Sequence, residues 1–182
     1  MSGAIDRFLE AAKVLGHEAE VRRFPEGTKT AADAARALRC DIGQIVKSLV
    51  FMADGRAVLA LTSGANRVDT AKLAELAGAM EARWASADEV RAATGYAIGG
   101  TPPFGHTRRL SAFIDQDLFG YGEIWAAAGT PDSVFRTTPE ELRAATGAGP
   151  ADFRQGKHIG PERRIDPLEW SGNATRHGPE DR

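Results

Sequence analysis

Residues 46–63, VKSLVFMADGRAVLALTS, decide the fold. Val46–Ala53 and Ala57–Ser63 are runs of aliphatic, aromatic and β-branched residues of strand length, and the Asp54-Gly55 pair between them tolerates the left-handed backbone of a two-residue hairpin turn. Val50, Phe51, Val58, Leu59 and Leu61 place apolar side chains at both parities, so the hairpin is expected inside a sheet covered on both faces. One residue breaks this pattern. Lys47 puts an ammonium at the head of the apolar strand, where it either snorkels to solvent or lines a polar pocket and binds an anionic or carbonyl oxygen or a ribose hydroxyl. The residues alone leave both readings open.

Outward from the hairpin, helices and strands mix. Ile5, Phe8, Leu9 and Ala12 share one face of a helix over 4–15, with Ser2 as a cap and Gly16 as a stop. His17 to Phe24 reads as extended, Pro25–Gly27 as a turn, and Thr30 as the cap of an alanine-rich helix to Leu38, accepting from the amide of Asp33. A short helix or turn over 41–45 leads into the hairpin. Beyond it, Gly64–Arg67 is a polar turn, Val68–Ala77 a helix ending at Gly78, and Ser86 with Glu89 a capping box opening a helix to about Thr94. Strand-like pieces follow at Leu110–Ile114, Glu123–Ala128 and Ser133–Arg136, and Thr138-Pro139-Glu140-Glu141 opens a last helix through Ala145. Hairpins interleaved with helices favour an α+β domain over residues 1–147 with a mixed, mostly antiparallel sheet. Residues 148–182 are polar, broken by Gly and Pro, and read as an irregular or disordered tail with only Phe153, Ile159, Ile165, Leu168 and Trp170 as anchors.

Bulk properties narrow the function classes. The 182 residues, 42% hydrophobic and 26% charged, suit one domain. A formal charge of −2 argues against coating DNA or any duplex by bulk electrostatics, so nucleic-acid contact must be local. Asp6, Arg7, Glu10 and Lys13 interrupt the first apolar stretch, which therefore has the pattern of neither a signal peptide nor a membrane span, and a cytoplasmic location is expected. The single Cys40 excludes an internal disulfide framework, and no Cys/His spacing suits a metal, so neither metal nor cofactor is expected.

The second unusual stretch is YAIGGTPPFGH, residues 96–106, with three glycines and two prolines in eleven residues. Glycines let backbone amides approach a ligand and prolines fix the loop before binding, so such a loop can donate from Gly99, Gly100, Thr101, Phe104 or Gly105 to an oxyanion, with Phe104 free to stack on a base. A rigid turn at a sheet edge is the alternative. His17, Ser48, Ser63, Cys40 and His106 are catalytic by type but show no partner in sequence, and Asp115 with Asp117 reads as turn chemistry rather than an acid/base dyad.

TAADAARAL (30–38), GQIVKSLVF (43–51), GANRVD with the following KL (64–73), AIGGTPPFGH (97–106) and IWAAAGTPDSVFRTTPEEL (124–142) together resemble the bacterial YbaK-type family, including its ProX-like group, and the inserted editing domain of prolyl-tRNA synthetase. The resemblance covers most of residues 1–147. It implies a sheet curled into a partial barrel and an enzyme acting in trans, a deacylase that hydrolyses the ester of a mischarged aminoacyl-tRNA. Lys47 takes the position of the family's strand lysine, and Gly99 through Pro103 take its glycine-x-x-x-proline signature.

Lys47, Gly99, Gly100 and Thr101 are then the catalytic candidates. Pro102, Pro103, Phe104, Gly105, His106 and Thr30 are those for binding substrate. The partners implied are the tRNA 3′ end and acceptor stem, with Lys29, Arg36, Arg108 and Arg109 as phosphate contacts, and a synthetase complex. Pro102 stands where many cysteine-specific relatives carry serine, which leaves alanine, cysteine, serine and threonine all open as the amino acid removed, from tRNA-Pro or a similar tRNA. Because the ester is already activated, positioning it and stabilising the oxyanion suffice, and a substrate thiol or water supplies the attack. The competing expectations are a non-catalytic module of the same fold that binds tRNA or a synthetase, and a small-molecule binding protein.

Overall fold

The computed structural model describes residues 3–24 and 30–156. In chain order the elements are α1 (Ala4–Val14), β1 (Val21–Arg23), α2 (Ala31–Leu38), β2 (Ile45–Ala53), β3 (Arg56–Ser63), α3 (Thr70–Leu76), β4 (Ala82–Trp84), α4 (Ala87–Thr94), β5 (Ser111–Asp115), β6 (Ile124–Ala127), β7 (Ser133–Thr137), α5 (Pro139–Thr146) and β8 (Pro150–Ala151), with 3-10 turns at Ile42–Gln44 and Gln116–Gly120. The hairpin forms as its sequence requires. Val46 pairs with Ser63 and Ala53 with Arg56, and Asp54 and Gly55 both adopt positive φ, 46° and 79°, the pairing geometry that matches the strands' right-handed twist.

Around this hairpin the described residues form one mixed sheet in the order β1-β7-β6-β2-β3-β5-β8, with β4 added to β2. The β1–β7, β7–β6, β2–β3 and β2–β4 ladders are antiparallel, and β2–β6, β3–β5 and β5–β8 are parallel. The sheet is open and does not close into a barrel, with β1 and β8 at the two ends of the order. Its connections suit the parallel pairs, which need long crossovers, and the antiparallel ones, which do not.

Both faces are covered, as the unbroken apolar run demands. One face carries Val46, Val50, Leu59, Leu61, Ile114, Ile124, Ala126 and Phe135 against Phe8 and Ala12 of α1, Val90 of α4 and Leu142 of α5. The other carries two separate clusters. Phe51, Ala53, Val58 and Ala60 pack with Leu73 of α3, and Ile45, Trp125 and Val134 pack with Ala31, Ala34 and Ala35 of α2. Lys47 sits on this second face, between the two patches.

Capping follows the sequence: the Oγ atoms of Thr30, Ser86 and Thr138 accept from the amides of Asp33, Glu89 and Glu141, and Gly95 and Gly147 end their helices with φ of 79° and 72°. The third helix begins two residues later than its apolar pattern suggests. Val68 bridges to Arg154, and Asp69 becomes the cap by accepting from Ala71 and Lys72. Two strands escape sequence reading. β4 has three residues, too few for a periodicity, and β8 contains Pro150, which only an edge strand tolerates. Residues 148–156 stay in the fold, because β8 pairs Pro150 and Ala151 with Ile114 and Asp115 and Phe153 is 1% exposed. The rest of the segment read as a tail, from 157 on, lies outside the described residues, as do Ser2, the Pro25–Gly27 turn and Lys29. Among the described residues no helix is long and apolar enough to cross a membrane.

Candidate functional site

Strand β2 shares one edge between two partners. β6 takes Ile45 and Val46 at its start, and β4 takes Phe51 to Ala53 at its end. Neither ladder reaches Lys47–Leu49. On its other edge Lys47 pairs with Thr62, whose side chain is fully buried, and Arg22 of β1 stacks 4.8 Å over the Trp125 ring.

The Lys47 side chain is half-buried, and its Nζ donates to the Asn66 carbonyl at 2.6 Å. Its pKa is lowered to about 8, chiefly by burial and then by the charge of Arg67, with Asp115 partly opposing both. Two cations held close enough to sense each other favour a negative or polarised oxygen beside them. That is the chemistry an ester carbonyl or a phosphate offers.

The glycine-proline loop is anchored by its buried half. Gly99 has φ of 84°, a conformation that favours glycine, and Gly100 passes so close to the β6–β7 connection that an added Cβ would lie 2.8 Å from the Gly129 carbonyl oxygen and from the Thr130 Cα. The Gly100 amide donates to the Ala97 carbonyl at 3.1 Å, so it is occupied in the turn and not free for a ligand. Thr101, 2% exposed, donates its hydroxyl to Ala97, and Pro102 and Pro103 are buried. Only Ile98 and Gly99 of residues 98–104 are exposed, so Gly99 is the exposed residue among the candidate donors, with Gly105 half-buried.

Phe104 is placed differently from its expected role. At 4% exposure it packs 5.5 Å from Phe8 and 5.7 Å from Phe135, ring centre to ring centre, and is a core residue rather than a stacking platform. His106 closes the loop with a 2.7 Å hydrogen bond to the Pro102 carbonyl. A carbonyl only accepts, so Nε2 carries the hydrogen, and burial holds the ring's pKa below the usual histidine value. Thr30 is engaged as the α2 cap.

The other candidates scatter. Ser48 pairs with Leu61 and faces the opposite side of the sheet from Lys47, Ser63 donates to the Gly43 carbonyl at 2.8 Å, and burial with Asp41 and Glu123 nearby pushes the Cys40 thiol up. His17 bonds Thr137 and Glu141, joining the end of α1 to α5. Among the described residues no serine or cysteine is joined to a histidine.

Of the basic residues, Arg36 is exposed beside Asp33 on α2. Arg108 and Arg109 precede Ser111, the partner of Val58, whereas Lys47 pairs with Thr62, so Arg109 lies roughly 20 Å from Lys47 along the strands. It lines a separate cleft of about 480 Å³ with Leu110, Phe113 and Thr146. Sequence reading missed Asn66 and its surroundings. The available signal was a polar turn whose asparagine follows directly on a buried strand.

Comparison with known proteins gives this arrangement a context. Residues 25–145 match the aminoacyl-tRNA editing domain family. The chain is 31% identical to the uncharacterized protein YwhH of Bacillus subtilis over 69% of its own length and 80% of that protein's. It is 27% identical to EbsC of Enterococcus faecalis, described as a candidate Cys-tRNA(Pro)/Cys-tRNA(Cys) deacylase, over 77% and 85% of the two chains. It is also 35% identical to a proline-tRNA ligase of Bacillus licheniformis, of which it spans 23%. A solved structure described as a candidate trans-editing enzyme for prolyl tRNA synthetase superposes with a TM-score of 0.81 at 47% identity, covering 86% of this chain and 99% of that one.

Proposed function

The chain belongs to the aminoacyl-tRNA editing domain family, and from that premise we propose that it is an aminoacyl-tRNA deacylase that acts in trans and hydrolyses the ester between a small, wrong amino acid and tRNA-Pro or a similar tRNA. The observation that carries the reading is the 47% identity, at a TM-score of 0.81, to a structure described as a candidate trans-editing enzyme for prolyl tRNA synthetase, nearly all of whose chain this one spans. The site's chemistry supports it. An aminoacyl ester needs no strong nucleophile, only positioning and a donor for the oxyanion, and no serine or cysteine in the described residues is paired with a base. In this reading the Lys47 ammonium, beside Arg67, binds and polarises the substrate, and the exposed Gly99 amide adds a neutral donor.

Specificity then rests on the size of the amino-acid pocket, which rejects bulky side chains strongly and separates neighbours by one methylene only about 10- to 200-fold. Single-turnover hydrolysis of tRNA-Pro charged in turn with alanine, cysteine, serine, threonine and leucine checks this. At least one of the four small esters is expected to disappear fast and the leucyl ester to persist; equal rates for all five contradict a size-limited pocket.

The same assay run against pH reports on Lys47. With its pKa lowered to about 8, the ammonium is present below that value and lost above it. After subtraction of the background hydrolysis, the enzymatic rate is expected to hold level to pH 7 and fall about tenfold per unit well above pH 8. A rate that climbs through pH 8 assigns the reaction to the free amine instead.

A further inference from the structure

The turn that receives Lys47 is held from a part of the chain outside the family match, which ends at residue 145. Asn66 offers its carbonyl to the ammonium, and its side-chain Nδ2 donates to two carboxylates, Asp115 Oδ2 at 2.9 Å and Asp117 Oδ2 at 2.7 Å. Asp115 is 2% exposed and is fixed by the amides of Ser63 and Asp117, each at 3.0 Å. Two carboxylates on one amide repel each other unless a cation joins them. Arg154 supplies such a cation: its Nη1 donates to the same Asp117 oxygen that receives Asn66, and its Nε lies 3.8 Å from Asp152.

The segment carrying Arg154 is tied to the same turn by backbone. Asp69 donates to the Phe153 carbonyl at 2.7 Å, Gln155 donates to the Arg67 carbonyl at 2.8 Å, and the buried Phe153 ring locks the segment onto the α3 side of the sheet. A continuous chain of contacts therefore runs Arg154, Asp117, Asn66, Lys47.

We propose that Arg154 is a positioning residue for Lys47: by neutralising Asp117 and holding it on the Asn66 amide, it fixes the carbonyl that orients the ammonium. The inference rests on the functional reading only in placing Lys47 at the substrate. Removing the guanidinium takes one positive charge from Asp117 beside Asp115 and loosens the Asn66 turn. Both changes favour the charged form of Lys47, one by adding negative field and the other by admitting water.

NMR titration of the Lys47 ammonium in the full chain, its resonance identified by loss in Lys47→Arg, tests this without tRNA. Arg154→Met is expected to raise the midpoint by about one pH unit and to lower the single-turnover rate about tenfold with KM little changed, since small misplacements at a reacting centre are costly. Arg154→Lys, which restores a cation, is expected to recover most of both. A merely structural role would lower the unfolding temperature without moving the midpoint in the folded protein. Where the methionine variant does not fold, Arg154→Gln serves, with a midpoint raised in the same sense. A folded Arg154→Met or Arg154→Gln with the wild-type midpoint and rate overturns the proposal. Inactivity of the wild-type protein toward every charged tRNA would instead overturn the deacylase reading, and the midpoint would still decide the role of Arg154.

Discussion

Lys47→Ala is expected to lower single-turnover deacylation by about 10²- to 10³-fold while leaving the fold intact. The magnitude is that of removing one preorganised donor aimed at developing negative charge in a partly desolvated site. The fold should survive because Lys47 contributes to neither apolar cluster on its face, and because its lowered pKa means that the charged side chain is less favourable in the folded protein than in the unfolded chain. Lys47→Arg is not expected to rescue. The guanidinium is planar and broader and cannot reproduce a compact ammonium 2.6 Å from the Asn66 carbonyl. Circular dichroism with single-turnover rates for both variants checks the pair of statements. A folded Lys47→Ala that deacylates at the wild-type rate removes Lys47 from the mechanism.

The second large effect is expected at Gly100. A methyl group there meets backbone on the facing chain, the Gly129 carbonyl oxygen and the Thr130 Cα, both at 2.8 Å, and neither can turn aside as a side-chain tip would. Gly100→Ala must push the loop away from the β6–β7 connection. The cost is about 1–3 kcal/mol of stability, typical of overpacking, together with about a 10- to 100-fold loss of deacylation as Gly99 moves with it. Gly99→Ala makes the contrast. Its nearest neighbour is Pro131 at 3.8 Å, so only the strain of φ at 84° opposes it, worth about 1 kcal/mol. Denaturant unfolding should therefore rank Gly100→Ala below Gly99→Ala. Wild-type stability and rate in Gly100→Ala would contradict the packing argument.

What could be read before the structure was local. The 46–63 hairpin, the Thr30, Ser86 and Thr138 caps and the glycine stops depend on residues within four positions of one another, where side-chain chemistry and backbone preference act directly. Lys47 was legible as an unusual residue, because an ammonium in an apolar strand is costly wherever the strand ends up, but whether it snorkels or lines a pocket was not. The loop was legible as unusual, but not in its orientation. Whether Phe104 meets solvent or core is decided by Phe8 and Phe135, far along the chain, and the Gly100 amide is used up by a turn that glycine content alone does not specify.

The surroundings of Lys47 were beyond sequence reading for the same reason. Asn66 lies 49 residues from Asp115 and 51 from Asp117, and Arg154 lies a further 37 from Asp117, so only the parallel pairing of β5 with β3 and β8 brings them together. Arg108 and Arg109 looked adjacent to the loop in sequence, yet strand register carries them to the far end of the sheet from Lys47.

Hydrolysis is seen without intermediary by following the ester bond itself. Wild-type protein in excess over tRNA-Pro charged with radiolabelled alanine or cysteine is sampled for remaining acid-precipitable label while binding is followed in parallel. First-order loss of at least one of the two esters is expected well above the buffer rate, with correctly charged prolyl-tRNA spared. Tight binding of both charged tRNAs with their esters intact would contradict it and leave a protein that recognises charged tRNA without cleaving it.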